Sequence, residues 1–171
     1  MVPIGRGTTP DIGYGLSGSV SYKNLDISFL LQGATHFNNL RYWALRGPLP
    51  WNRNSWKEFL DCWHHEDLYD INSPWVPGKY PAASTRGTPP SNQYDSEFWM
   101  DDPTYLRLKH LEIGYDFTKM VPRLGVERFR VYFSSVNLFT WTSMSVTDPE
   151  SLADYAYPMS RDFTFGLSVT F

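Results

Sequence analysis

The sequence predicts an all-β protein whose antiparallel, up-and-down strands form part of the wall of a transmembrane β-barrel. Three observations predict it. Apolar and polar residues alternate with period two in five segments, which marks strands with one apolar face. The connections between the segments are alternately short and long. Aromatic residues gather at the segment ends, where amphipathic rings favour a lipid–water boundary.

The first strand is predicted at about 14–22, with Tyr14, Leu16, Gly18, Val20 and Tyr22 opposed by Gly15, Ser17, Ser19 and Ser21. Lys23-Asn24 reads as a two-residue hairpin turn into a second strand at about 25–34, where Leu25, Ile27, Phe29 and Leu31 oppose Asp26, Ser28 and Gln32. A third strand, about 105–117, sets Leu111, Ile113, Tyr115 and Phe117 against His110, Glu112, Gly114 and Asp116. Leu106 and Leu108 fall on the wrong parity, so a bulge near Lys109-His110 is expected to restore the register. The fourth strand, about 128–141, has Phe129, Val131 and Phe133 on one side and Arg128, Arg130 and Ser134 on the other, with parity blurred after Ser135. The fifth, about 161–171, alternates Phe163, Phe165, Leu167, Val169 and Phe171 with Thr164, Gly166, Ser168 and Thr170.

In an up-and-down sheet, successive connections lie at opposite ends. The tight turns at Lys23-Asn24 and 118–127 therefore share one rim, and the long segments 35–104 and 142–160 share the other. Bacterial outer-membrane barrels show this asymmetry of periplasmic turns and extracellular loops. Within the longer loop, Ser55-Trp56-Lys57-Glu58 reads as a capping box before Phe59, Leu60 and Trp63, which predicts a short helix. Pro74, Pro77, Pro81, Pro89 and Pro90 exclude regular structure beyond it.

Alternation alone does not separate a barrel from a soluble sandwich, but the strand ends and the polar faces do. Tyr14 and Tyr22 are eight residues apart, about 26 Å of extended chain and roughly 20 Å of height at a tilt of ~40°, close to the ~25 Å apolar band of such barrels. Tyr22, Phe117 and Phe171 are expected at the short-turn rim, and Tyr14, Tyr105 and Trp141 at the other. The opposite face carries Asp26, Gln32, Glu112 and Asp116, which suit a wet lumen and would be costly in a dry core. Five strands do not close, since the smallest such barrels have about eight, so the remaining strands are expected elsewhere.

Aromatics make up 17% and charged residues 19% of the 171 residues, and the net charge is -3. Nothing here supplies the cationic stripe that nucleic acid needs. The single cysteine, Cys62, forms no internal disulfide. No stretch of about 18 apolar residues occurs, and Met1 to Arg6 contain no apolar signal core, so neither a membrane helix nor a signal peptide is expected here, and a targeting segment is expected upstream if the parent protein is exported.

At the level of whole segments the chain resembles the SusC/RagA class of TonB-linked outer-membrane proteins of Bacteroidetes-type bacteria. Tyr14-Gly15-Leu16 with Ser21-Tyr22-Lys23-Asn24-Leu25-Asp26-Ile27-Ser28 and Gln32-Gly33 is similar to that family's late hairpin. Tyr105-Leu106-Arg107-Leu108-Lys109-His110-Leu111-Glu112-Ile113-Gly114-Tyr115 follows the family pattern, with His110 where the family usually has Asn. Arg130 to Ser134 with Asn137 to Trp141 resembles the penultimate strand, and Tyr157-Pro158-Met159 with Phe163 to Leu167 the last. The resemblance implies the C-terminal five strands of a barrel of about 22 strands, a TonB-dependent importer that takes up oligosaccharide or oligopeptide nutrients. It implies a SusD-like surface lipoprotein as lid, TonB engaged through an N-terminal part absent from this chain, and a place in the outer membrane among its lipids. It also implies that the alternating end, Phe163, Phe165, Leu167, Val169 and Phe171, is read by the barrel-assembly machinery.

Six of the seven tryptophans, Trp43, Trp51, Trp56, Trp63, Trp75 and Trp99, lie in the 35–104 loop. Trp56 and Trp63, on one helical face, are expected to form a small loop core. Trp75, Tyr80, Trp99 and Trp43 are the candidates for stacking on cargo or packing against a lid. His64-His65 lack a useful ligand spacing, and Asp101-Asp102 and Asp148-Pro149-Glu150 are read as turn and strand-entry residues rather than calcium ligands. No nucleophile–base signature is present, so no catalytic residue, metal or cofactor is expected and the chain is read as non-enzymatic. The rival classes are a passive porin or adhesin-like barrel and a soluble β-sandwich binding module.

Overall fold

The computed structural model describes residues 4–48, 54–83, 94–122, 125–144, 147–151, 157 and 159–171. Its strands are β1 (Ile12–Tyr22), β2 (Leu25–Thr35), β3 (Asn39–Leu40), β4 (His64–His65), β5 (Trp75–Val76), β6 (Met100–Asp101), β7 (Tyr105–Asp116), β8 (Arg128–Thr142) and β9 (Asp162–Thr170). Among the described residues they form one five-stranded antiparallel sheet, β1-β2-β7-β8-β9, and two ladders, β3-β6 and β4-β5. The chain divides into two compact units, one built on the long sheet and one on Asn38–Asp101.

The sheet follows the period-two pattern closely. Tyr22, Leu25, Tyr115, Val131 and Leu167 stand in one cross-strand row, and Val20, Ile27, Ile113, Phe133 and Phe165 in the next. Rows of this kind put one face of every strand on one side of the sheet. That side is apolar and open: Leu16 is 61%, Val20 64%, Leu167 66% and Phe165 79% exposed. Soluble monomers rarely expose a contiguous apolar surface of such extent. Ser135 is the exception on this face; its hydroxyl is buried beside the stacked rings of Phe133 and Phe163 and has no partner among the described residues.

The expected bulge is present. On β2, Leu30 pairs with His110 and Leu31 with Leu108, which leaves Lys109 as the extra residue and returns Leu106 and Leu108 to the apolar face. The facing strand makes its own adjustment, pairing Val136 with His110 and Phe139 with Leu108. Between them Asn137 takes a left-handed backbone, φ 55°, a conformation that asparagine tolerates better than most residues. This second irregularity blurs the alternation after Ser135.

The bulge also corrects one rim assignment. Tyr105 pairs with Ala34 and Thr142 on the polar side and is buried with Ala34 and Phe37, so it is not a girdle residue. Leu106, in the row of Gly33 and Trp141, stands on the apolar side instead. Tyr14 remains at that rim and donates a 2.7 Å hydrogen bond to the Tyr105 carbonyl, its ring covering Gly33. Any Cβ at Gly33 would collide with that ring and with the Tyr105 carbonyl. At the opposite rim Tyr22 is 66% and Phe171 89% exposed.

The short helix predicted after Ser55 does not form. Lys57–Leu60 is a single 3-10 turn, with Trp56 at its N-cap and no side-chain cap. The carboxylate that a capping box needs is engaged elsewhere: Glu58 accepts hydrogen bonds from Arg41 and from the Tyr80 hydroxyl. The chain then turns away as Tyr80 N–H donates to Asp61 and Trp63 N–H donates to Tyr80. Trp56 and Trp63 are left half-exposed, and the core of this unit is Phe59, Tyr80 and Trp99.

Gly78 lies against the backbone of Cys62, where a Cβ would overlap the Cys62 carbonyl group. Gly78→Ala is therefore expected to destabilise this unit by about 1–3 kcal/mol, the usual cost of overpacking. Limited proteolysis checks it, with faster cleavage expected within 54–83 and unchanged resistance of the strands.

Candidate functional site

Two regions carry the polar and aromatic chemistry. In the Asn38–Asp101 unit, the guanidinium of Arg41 is held between two carboxylates, with Nε and Nη2 donating to Asp101 at 2.7 and 2.8 Å and Nη1 and Nη2 to Glu58. Burial opposes the charge on Arg41, but hydrogen bonds and attraction from Asp101 and Glu58 outweigh it and hold its pKa above the ordinary arginine value. Arg46 is likewise paired with Asp95. These pairs tie residues distant in sequence to the Phe59–Tyr80–Trp99 core, where Phe59 meets Tyr80 edge-on at 4.9 Å.

The four aromatic candidates separate by environment. Tyr80 and Trp99 are 7% and 3% exposed, and their rings stack on one another at 6.3 Å. Trp75 is 53% exposed, and its ring is tilted by 35° against that of His65 at 3.9 Å across the β4-β5 ladder. Trp43 is 38% exposed and tilts against Tyr42 at 5.2 Å. Trp75 and Trp43 are thus the more exposed of the four, while Trp51 lies outside the described residues. His64 and His65 bond through Nδ1 to the Cys62 and Ser73 carbonyls.

Sequence reasoning missed the turn between β4 and β5. Leu68, Tyr69 and Ile71 are 76%, 99% and 81% exposed there, and the turn is shaped by Asp67 accepting from Tyr69 N–H and Asp70 from Asn72 N–H. The available signal was an apolar triplet set among aspartates and an asparagine.

The second region is the polar face of the sheet. Arg130 bridges Asp26 on β2 and Glu112 on β7, a link between three neighbouring strands. Toward the other rim, Arg107 is 1% exposed and its guanidinium donates to Asp148 at 2.6 and 2.8 Å and to Glu150 at 2.7 Å. Lys109, presented by the bulge, completes the cluster with 2.8 Å bonds to Glu150. Asp148 and Glu150 thus fold their segment onto β7, while Asp101 binds Arg41 and Asp102 caps the entry to β7 through Thr104. Beside this cluster lies a cleft of about 190 Å³ lined by Arg107, Asn137, Thr140, Thr147, Asp148 and Arg161, among others.

An antiparallel sheet with an open apolar face and a charged, hydrogen-bonded opposite face is the construction of an outer-membrane barrel wall. The comparisons return that class. The chain is similar to two TonB-dependent receptors of Formosa agariphila, at 29% identity over 184 residues and 26% over 179, each match covering 95% of the chain. No family model matches it. Among solved structures it superposes on the RagAB peptide importer in the closed-closed state with a TM-score of 0.69, at 24% identity and 98% coverage of the chain, and in the open-open state with a TM-score of 0.65. The chain spans 17% and 16% of the lengths of the two receptors and 18% of the importer chain. These proteins are named as receptors and an importer, none as an enzyme.

Proposed function

We propose that the chain supplies five consecutive strands near the C-terminal end of a TonB-dependent outer-membrane importer barrel. The continuous apolar face of β1, β2, β7, β8 and β9 carries this reading, because lipid is the environment that covers such a face on a single-layered sheet. The charged opposite face lines a wet interior through which an oligopeptide or oligosaccharide passes. The 35–104 and 142–160 segments stand at the extracellular rim, where Trp75 and Trp43 offer ring faces to cargo or to a SusD-like lipoprotein lid. TonB acts through parts of the protein beyond this chain. Phe163, Phe165, Leu167, Val169 and Phe171 serve barrel assembly.

Uptake of fluorescent oligopeptides and oligosaccharides by cells carrying the full-length protein tests the proposal. Uptake of one class is expected, and it should stop when the proton gradient that drives TonB is collapsed. Uptake that persists without the gradient would indicate a passive pore instead. Trp75→Ala is expected to weaken capture of cargo or lid roughly tenfold, the scale of losing one exposed aromatic anchor. Binding to the full-length protein in detergent measures this, and an unchanged affinity for both would remove Trp75 from the site.

A further inference from the structure

We infer that the cleft beside Arg107 is a subsite for a carboxylate group of the cargo, with Arg161 as the residue that recognises it. The inference rests on the importer reading above.

The cleft is built mainly from the polar face of the sheet. Thr140 is the cross-strand partner of Arg107, Asn137 sits at the β8 irregularity, Arg161 precedes β9, and Thr147 and Asp148 come from the segment that the ion cluster folds back. Its walls are therefore fixed by strand pairing on one side and by charge pairing on the other. Asn137 is further anchored by donating through Nδ2 to the Ser160 carbonyl at 3.0 Å, which holds the entry to β9 beside it.

Charge bookkeeping selects the ligand. Arg107 and Lys109 are matched by Asp148 and Glu150, so that cluster contributes no net charge. Arg161 lines the same cleft and has no ion-pair partner among the described residues, which leaves one positive charge unmatched among them. Around it are the hydroxyls of Thr140 and Thr147, and the buried Nε–H of Arg107 is a donor with no hydrogen-bond partner among the described residues; the Oδ1 of Asn137, likewise unpartnered, is an acceptor and does not contribute to holding an anion. A buried donor or acceptor left unpaired is costly and calls for a partner. One cation with surplus donors fits an anionic, planar acceptor, and a guanidinium meets a carboxylate through two parallel bonds.

Size limits what enters. Sites that enclose a whole drug-sized ligand have about 300–1,000 Å³, so a cleft of about 190 Å³ receives one group of a longer cargo rather than the oligomer. Two sources of that chemistry exist, an acidic sugar unit and an acidic side chain or C-terminus of a peptide.

The test uses the full-length barrel in detergent and four probes: a tetra-uronate, its carboxyl-reduced neutral counterpart, an acidic tetrapeptide, and the same peptide with its carboxyls amidated. Wild-type protein is expected to bind one of the two carboxylate probes at least tenfold more tightly than its neutral counterpart, and the one that binds identifies the source. Arg161→Gln should bring the ratio of charged-probe to neutral-probe affinity, both measured on the same variant, to near one, and Arg161→Lys should retain part of the preference. Equal binding of charged and neutral probes by wild-type protein, or a preference that survives Arg161→Gln, overturns the subsite and leaves the importer reading standing. Failure of folded wild-type protein to bind any of the four also overturns the subsite, while the importer reading is decided by the gradient-dependent uptake described above.

Discussion

Arg107→Ala is expected to free the segment around Asp148–Glu150 from the sheet. The substitution removes a buried guanidinium that satisfies two carboxylates, and Asp148 and Glu150 would be left facing β7 with only Lys109 to oppose them. Removing one member of a buried ion cluster costs roughly 3–5 kcal/mol, mostly because the remaining charges are stranded. Asp148 and Glu150 are 19% and 22% exposed, so water recovers part of this and the lower end is expected. Because the loss is local, the segment opens while the strands persist, and about 3 kcal/mol raises the open population roughly a hundredfold. Protease cleavage between 147 and 151 in the full-length barrel should accelerate by that order, and Arg107→Lys should restore only part, since an ammonium cannot span both carboxylates as the fork does. Cleavage at the wild-type rate would mean that the cluster does not hold the segment.

Leu111→Arg should have the next largest effect. Leu111 stands at the centre of the row Gly18, Phe29, Leu111, Ser135 and Phe163, which the barrel reading puts near the bilayer midplane. An arginine on the lipid face at that depth costs about 2–4 kcal/mol. The paired control is Ser28→Arg on the other face of the sheet, beside Glu112, where the charge meets water and a carboxylate and the cost should be near zero. Urea titration of the full-length barrel in lipid vesicles separates the two. Similar losses from both variants would contradict a two-sided wall.

The sheet was legible because its information is local. Alternation, the Lys23-Asn24 turn and the parity fault at Lys109 are each contained in about ten residues, and the pairing follows them. Tyr105 was misplaced because it lies beyond the bulge, where the parity that puts Leu111 outside puts Tyr105 inside. The helix expected at Ser55 failed for the opposite reason. Its capping box is a local pattern, but Glu58 is claimed by Arg41 and Tyr80, 17 and 22 residues away. The Arg107 cluster was invisible in the sequence, since its partners lie 41 and 43 residues further on and nothing local distinguishes Asp148-Pro149-Glu150 from an ordinary turn.

Which side of the sheet touches lipid is tested most directly by a pair of adjacent probes on β9. In a Cys62→Ala background, Phe165→Cys and Thr164→Cys place a thiol on the apolar and polar faces respectively, and each is labelled with an environment-sensitive fluorophore in the full-length barrel reconstituted into vesicles. The label at 165 should emit as in hydrocarbon and be quenched by brominated lipid chains, and the label at 164 should be quenched by aqueous iodide instead. Iodide quenching at both positions, or a reversed pattern, would contradict a membrane-facing apolar side.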